Sequence, residues 1–170
     1  PIALQLSPNE RTLLVLNQRS GSLSLVDTEL GKVREELPIG KKPADLVASA
    51  DRRLLLIPDE SSHELLLLDV AEDTQQPARV TLRQKLPVSP YPVSVSRTRD
   101  GQRAFVASLW SWRLTEVALP QSPRETARIV RTLDLPAAPR KQLLVQNDQK
   151  LLVANSLAGK LAVIDTKTGA

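Results

Sequence analysis

Ser7-Pro8-Asn9-Glu10-Arg11, a polar turn, runs into Thr12-Leu13-Leu14-Val15-Leu16, an apolar stretch, and the same succession returns three times along the chain. Ala50-Asp51-Arg52-Arg53 precedes Leu54-Leu55-Leu56-Ile57, and Arg99-Asp100-Gly101-Gln102-Arg103 precedes Ala104-Phe105-Val106-Ala107. Asn147-Asp148-Gln149-Lys150 precedes Leu151-Leu152-Val153-Ala154. The apolar runs begin at 12, 54, 104 and 151, with spacings of 42, 50 and 47 residues. Outward from each run comes a second strand, at 22–27, 64–69, 113–118 and 160–165. A third strand then leads to a proline: 32–37 before Pro43, 79–86 before Pro92, and 127–135 before Pro139. The next unit opens with 44–49, 93–98 or 140–146, as 2–6 opens the first. A helical reading would need a 3.6-residue period through segments that the prolines interrupt, and it fails.

A four-strand unit at this period is the signature of propeller blades. The expected fold is therefore all-β: a β-propeller built from four-stranded antiparallel sheets, with units at 1–43, 44–92, 93–139 and 140–170. The apolar runs, Leu13-Leu14-Val15-Leu16 and Leu54-Leu55-Leu56-Ile57 among them, are unbroken, as expected of strands sandwiched between neighbouring sheets on both faces. The last strand alternates, as in Arg79-Val80-Thr81-Leu82-Arg83, which suits one wet face. Asp100-Gly101 and Thr168-Gly169 supply hairpin-turn chemistry.

The units resemble the YVTN family of propeller repeats. Unit one carries Ser7-Pro8-Asn9, Asn17, Gly21, Val26-Asp27-Thr28, Gly31-Lys32 and Gly40 to Pro43; unit four carries Val153-Ala154-Asn155, Gly159-Lys160 and Val163-Ile164-Asp165-Thr166 through Gly169. Unit two departs from the pattern with Pro58-Asp59, and unit three lacks the strand-end Asp. The stretch 86–92 with Ala107-Ser108-Leu109-Trp110-Ser111 is also similar to large bacterial propellers joined to cytochrome-c or di-haem peroxidase modules. The resemblance implies a seven-bladed ring, which takes about 300 residues at this period. The chain is thus read as a partial ring, about half, with the remaining blades in a longer parent. It further implies a binding or docking module, the partner domain of a cytochrome-c-type redox protein, in a periplasmic or extracellular setting. The alternative it implies is a fragment of an oxidoreductase whose active site needs the missing blades or a fused haem domain.

Among 170 residues there is no Cys, no Met and one His. That excludes a thiolate metal site, a Cys nucleophile, a disulfide framework and a covalently attached c-type haem within the chain. No cofactor is expected here. Apolar runs stay well short of the ~18 residues that span a membrane. No basic and apolar leader precedes Pro1, and the chain is read as an excerpt. Gly-x-Ser-x-Gly, Gly-x-Gly-x-x-Gly and Gly-x4-Gly-Lys-Ser/Thr are all absent, so no catalytic residue is assigned.

In an up-and-down meander the loops joining units share a face with the middle loops inside them. Ligands of propellers bind such faces, so the candidate binding face comprises Arg19, Lys41, Lys42, Tyr91, Trp110 and Trp112. The middle loop at 156–158 belongs to it as well. Tyr91 and both tryptophans are three of only four aromatics. They either form a stacking patch or plug a gap between two blades. His63, beside Asp59, Glu60 and Glu64, reads as part of a solvated acidic loop rather than a metal site. Asp27, Asp69 and Asp165 recur at strand ends and read as turn acceptors.

Charge is uneven: residues 1–78 hold 8 basic and 13 acidic side chains, and 79–141 hold 12 basic and 4 acidic. Arg79, Arg83, Lys85, Arg97, Arg99, Arg103, Arg128 and Arg131 offer cations for an anionic partner. A nucleic-acid surface would need them clustered beside aromatics, and alternate strands carry them instead. Finally, the outer faces of the end units, Leu4 and Leu6 with Leu161, Val163 and Ile164, are expected to lie partly uncovered and to drive self-association.

Overall fold

Fifteen strands and no helix make up the computed structural model, which describes residues 1–73, 76–155 and 159–170. The first sheet contains β1 (Ala3–Leu6), β2 (Thr12–Asn17), β3 (Ser22–Asp27) and β4 (Lys32–Pro38). The second contains β5 (Val47–Ala48), β6 (Leu54–Asp59), β7 (Glu64–Ala71) and β8 (Arg79–Pro87). The third contains β9 (Pro92–Arg97), β10 (Arg103–Ser108), β11 (Arg113–Ala118) and β12 (Arg128–Asp134). The last holds three: β13 (Pro139–Val145), β14 (Lys150–Asn155) and β15 (Leu161–Asp165). Each sheet is an antiparallel meander in which neighbours in sequence are neighbours in space. Each is one blade.

Apolar contacts run from blade to blade. Leu14, Leu16, Leu23 and Leu25 pack against Leu55, Ile57, Leu66 and Leu68. Leu56, Leu65 and Leu67 meet Val95, Ala104, Val106 and Val117. Phe105, Ala107 and Leu114 meet Leu151, Val153 and Ile164. Among the described residues, none of these clusters joins blade four to blade one. The order of packing therefore explains burial better than composition does. From their second residue onward, β6 and β10 are buried at every position, whereas β2 and β14 alternate because one face of each end blade has no neighbour.

Two expectations need correction here. Ile164 is buried, because it points back at blade three, while Leu161 and Val163 on the opposite face of the same strand are exposed with Leu4. Leu6 is half-buried, in keeping with a partly uncovered face. The opening strand of blade two spans only Val47–Ala48, not 44–49. Asp45 leaves the ladder there and accepts hydrogen bonds from Ser94 Oγ at 3.0 Å and Val95 N–H at 3.3 Å in blade three.

Every complete blade also carries a bulge between its third and fourth strands, beside Leu25/Val26, Leu67/Leu68 and Glu116/Val117. The extra residues are Arg34, Arg83 and Val130. A bulge re-aims its side chain, and both of the arginines reach the next blade. Arg34 Nη2 donates to Ala78 O at 2.7 Å, and Arg83 Nη2 donates to Ser122 O at 2.6 Å and Glu125 O at 3.2 Å. At the third interface Arg131, beside the bulge, takes the same part with Thr166, Lys167 and Thr168 carbonyls. Arg83→Ala is expected to cost about 1.5 kcal/mol, the worth of a charge-assisted bond, in chemical denaturation. An unchanged midpoint would mean that the clasp adds nothing to blade docking.

Candidate functional site

The meander sends the β2–β3, β6–β7 and β10–β11 turns to one end of the blades, where the connectors between blades also lie. Backbone bonds stitch them together. Ile39 N–H donates to Gly21 O, Glu60 N–H to Lys42 O, and Leu109 N–H to Tyr91 O. Gly21 holds a φ of 66°, and a Cβ there would fall onto the carbonyl oxygen of Gly40, so this seam needs glycine.

On this end the rings are in water. Trp110, Trp112 and Tyr91 are 59%, 48% and 42% exposed, so neither tryptophan plugs a gap between blades. Ser111 Oγ donates to Pro90 O at 2.9 Å, tying the tryptophan turn to the Tyr91 connector. Tyr91 meets His63 edge-on with ring centres 4.8 Å apart, and its N–H donates to His63 Nδ1 at 3.1 Å. His63 is thus engaged by a ring and an amide rather than by carboxylates. Arg19 and Lys41 are exposed, and Lys42 pairs with Glu60 at 3.0 Å. Arg19 sits with Gln18, Ser20 and Glu36 on the outer side of blade one, in a hollow without aromatic lining. The loop 156–158 lies outside the described residues.

Two of the three rings stand on left-handed backbone. Gly21 (66°), His63 (60°) and Trp112 (52°) end the β2–β3, β6–β7 and β10–β11 turns in that conformation, and Gly159 (59°), two residues before β15, shares it. Tyr91 is left-handed as well, at 61°. Glycine bears this conformation freely, whereas a bulky side chain pays roughly 1–2 kcal/mol. Blades two and three therefore hold His and Trp against a local preference for glycine.

Asp59 is a correction. It belongs to no solvated loop but is fully buried, and its carboxylate accepts N–H bonds from Lys41 (2.6 Å), Lys42 (2.9 Å), Ser61 (3.2 Å) and Ser62 (3.2 Å). Burial alone would raise its pKa, but the donors from Lys41, Lys42 and Ser62 outweigh it and hold the carboxyl below the ordinary value. Asp27 and Asp165 do accept turn N–H groups, from Glu29 and Leu30 and from Lys167 and Thr168. Asp69 does not follow them; it pairs with Arg83 at 3.3 Å.

The opposite end holds a feature that sequence reading missed. Glu116 on β11 is buried and gripped by Arg103 at 3.0 Å and Arg131 at 2.6 Å. Its register position is that of Leu25, Leu67 and Val163 in the other blades, two residues after Leu114, Leu23, Leu65 and Leu161 respectively. Aligning the four units on that leucine would have exposed the anomaly. Arg103 also lies over the Phe105 ring at 5.6 Å and donates to Thr166 O at 3.0 Å. A cleft of about 840 Å³ opens beside this triad between blades three and four.

The chain matches no family model and no curated protein. Solved structures do match. Hydrazine synthase of Kuenenia stuttgartiensis is 19% identical with a TM-score of 0.77, the match covering 99% of this chain and 47% of that one. The periplasmic gluconolactonase PpgL of Pseudomonas aeruginosa is 18% identical with a TM-score of 0.79, covering 98% and 50%. The dihydro-haem d1 dehydrogenase NirN, in complex with DHE, is 20% identical with a TM-score of 0.70, covering 99% and 35%. The chain spans half or less of each of these proteins. At such identities the likeness concerns architecture, and with the four meanders it makes this chain an arc of a β-propeller.

Proposed function

We propose that this arc is a non-catalytic binding platform of a larger, seven-bladed propeller of the YVTN type, the partner domain of a cytochrome-c-type redox protein. The observation that carries the reading is the set of exposed rings, Tyr91, Trp110 and Trp112, on two adjoining loops of one end. Half-wet aromatics, two of them (Tyr91 and Trp112) on left-handed backbone, suit contact with a protein partner or fused domain. Lys41 and Lys42 flank that end through the first connector. In this reading the chain supplies no cofactor ligand and no catalytic residue. A second reading, a fragment of a propeller oxidoreductase whose active site needs further blades or a fused haem domain, draws support from the likeness to NirN and hydrazine synthase.

Trp112→Gly separates binding from stability. Glycine relieves the left-handed strain, so thermal stability should rise by about 1 kcal/mol while partner capture is lost. The measurement is photo-crosslinking of the parent protein in its own cell extract from a probe at residue 110, with a probe at residue 128 as control. The platform reading expects one discrete product from residue 110, absent from residue 128 and abolished by Trp112→Gly. Equal products from both positions would overturn it. So would saturable turnover by the purified chain that one polar substitution abolishes.

A further inference from the structure

Of the ten cations between residues 79 and 131, none takes part in the aromatic platform, and the fold sorts them. Arg99, Arg103 and Arg131 converge with Lys167 on the cleft between blades three and four, at the end opposite the tryptophans. That cleft also contains Asp100, Glu116, Asp148 and Asp165, so its formal charges balance. Its hydrogen bonds do not. Each carboxylate already receives donors from the protein. Asp100 Oδ1 accepts from Thr98 Oγ1 at 2.6 Å and Gln102 N–H at 2.9 Å, and Asp165 Oδ1 from Lys167 and Thr168 N–H. Asp148 Oδ2 accepts from Arg99 N–H at 2.6 Å, and Glu116 takes both arginines.

The cations are spent unequally. Arg131 directs all three of its nitrogens at Glu116 and at the carbonyls of 166–168. Arg103 uses only Nη1, for Glu116 and Thr166 O, which leaves Nε and Nη2 without a partner among the described residues. Arg99 uses Nη1 alone, on Asn147 Oδ1 at 3.2 Å. Lys167 Nζ is exposed and has no partner among the described residues. Asp100 Oδ2, Asp148 Oδ1 and Asp165 Oδ2 receive no donor among the described residues, but five donor nitrogens stand against these three oxygens (Arg99 Nε and Nη2, Arg103 Nε and Nη2, Lys167 Nζ), and the surplus of donors makes the cleft acceptor-seeking. The buried Glu116 stands where other blades place an aliphatic side chain, so this interface has exchanged core packing for fixed polar groups. Costly buried charge beside a cavity is the pattern of a site rather than of a seam.

We infer that the cleft between blades three and four binds a small oxyanion, a phosphoryl or carboxylate compound, through Arg99, Arg103 and Lys167. Glu116 and Arg131 position Arg103 and do not touch the ligand.

Inorganic phosphate and malonate, titrated separately at constant ionic strength and followed by amide chemical shifts of the chain, test this. Saturable shifts are expected at residues 98–103 and 165–168, and Arg99→Ala/Lys167→Ala should weaken binding at least tenfold. Lys167→Glu, a single change on the surface, should do the same without disturbing the fold, and Arg19→Ala should have no effect. Saturation by phosphate alone assigns a phosphoryl compound; saturation by malonate as well admits carboxylates. Shifts that never saturate, or that saturate equally in the variants, overturn the site.

Discussion

Glu116→Ala should unfold about 6–12 °C below the parent chain, the shift that a loss of about 3 kcal/mol gives in a domain of this size. The substitution strands Arg103 and Arg131 at the joint between blades three and four, each only about a third exposed. An exposed ion pair would be worth far less. This one is different because the carboxylate side chain is 4% exposed and both of its oxygens are engaged. Replacing all three charges with aliphatic side chains, Glu116→Leu with Arg103→Leu and Arg131→Met, should recover most of the loss, because Leu25 and Leu67 already pack at the equivalent place. A single variant that melts with the parent would show that the triad is a bystander at the interface.

Asp59→Ala should cost about 3 kcal/mol, since four amide donors lose a charged acceptor at a buried joint. Gly40 belongs to the same joint: a Cβ there would land on Asp59 Oδ2, so Gly40→Ala should behave alike. The carboxyl also sets an acid limit. Its folded pKa lies below the unfolded value of about 3.9, so the unfolded chain binds the proton first as pH drops. Its contribution is present in full above that value and vanishes as pH falls through the lower, folded one. Urea midpoints measured down the acid range should therefore decline for the parent below about pH 4 and decline less for Asp59→Ala. Parallel declines would place the acid sensitivity elsewhere, for instance at Asp100 or Asp165, whose carboxyls Thr98 Oγ and the Thr168 and Lys167 amides also hold low.

Strand order, turn positions and the meander were legible because each depends on a local pattern repeated four times. The polar turn before an apolar run gave β2, β6, β10 and β14 to within one residue at each start. Those patterns carry no information about which face of a strand meets a neighbour. Ile164 and Val163 look interchangeable in sequence, yet one is buried against blade three and the other is open. Asp59 and Glu60 likewise sit together in an acidic stretch; one is wholly buried and closes a joint between blades, and the other is half-buried and pairs with the exposed Lys42.

The candidate site divides the same way. Alternation of loops alone placed Tyr91, Trp110 and Trp112 at one end, and the fold keeps them there. Whether their rings would be packed or wet depended on inter-blade contacts, which the tryptophans do not make. Arg99, Arg103 and Arg131 come from a turn, a second strand and a fourth strand, and only the docking of blade four brings Lys167 and the carbonyls of 166–168 to them. The sequence by itself determined the blades, because a blade is a local meander. The tertiary structure alone decided the joints, because burial and hydrogen-bond partners there belong to two blades at once.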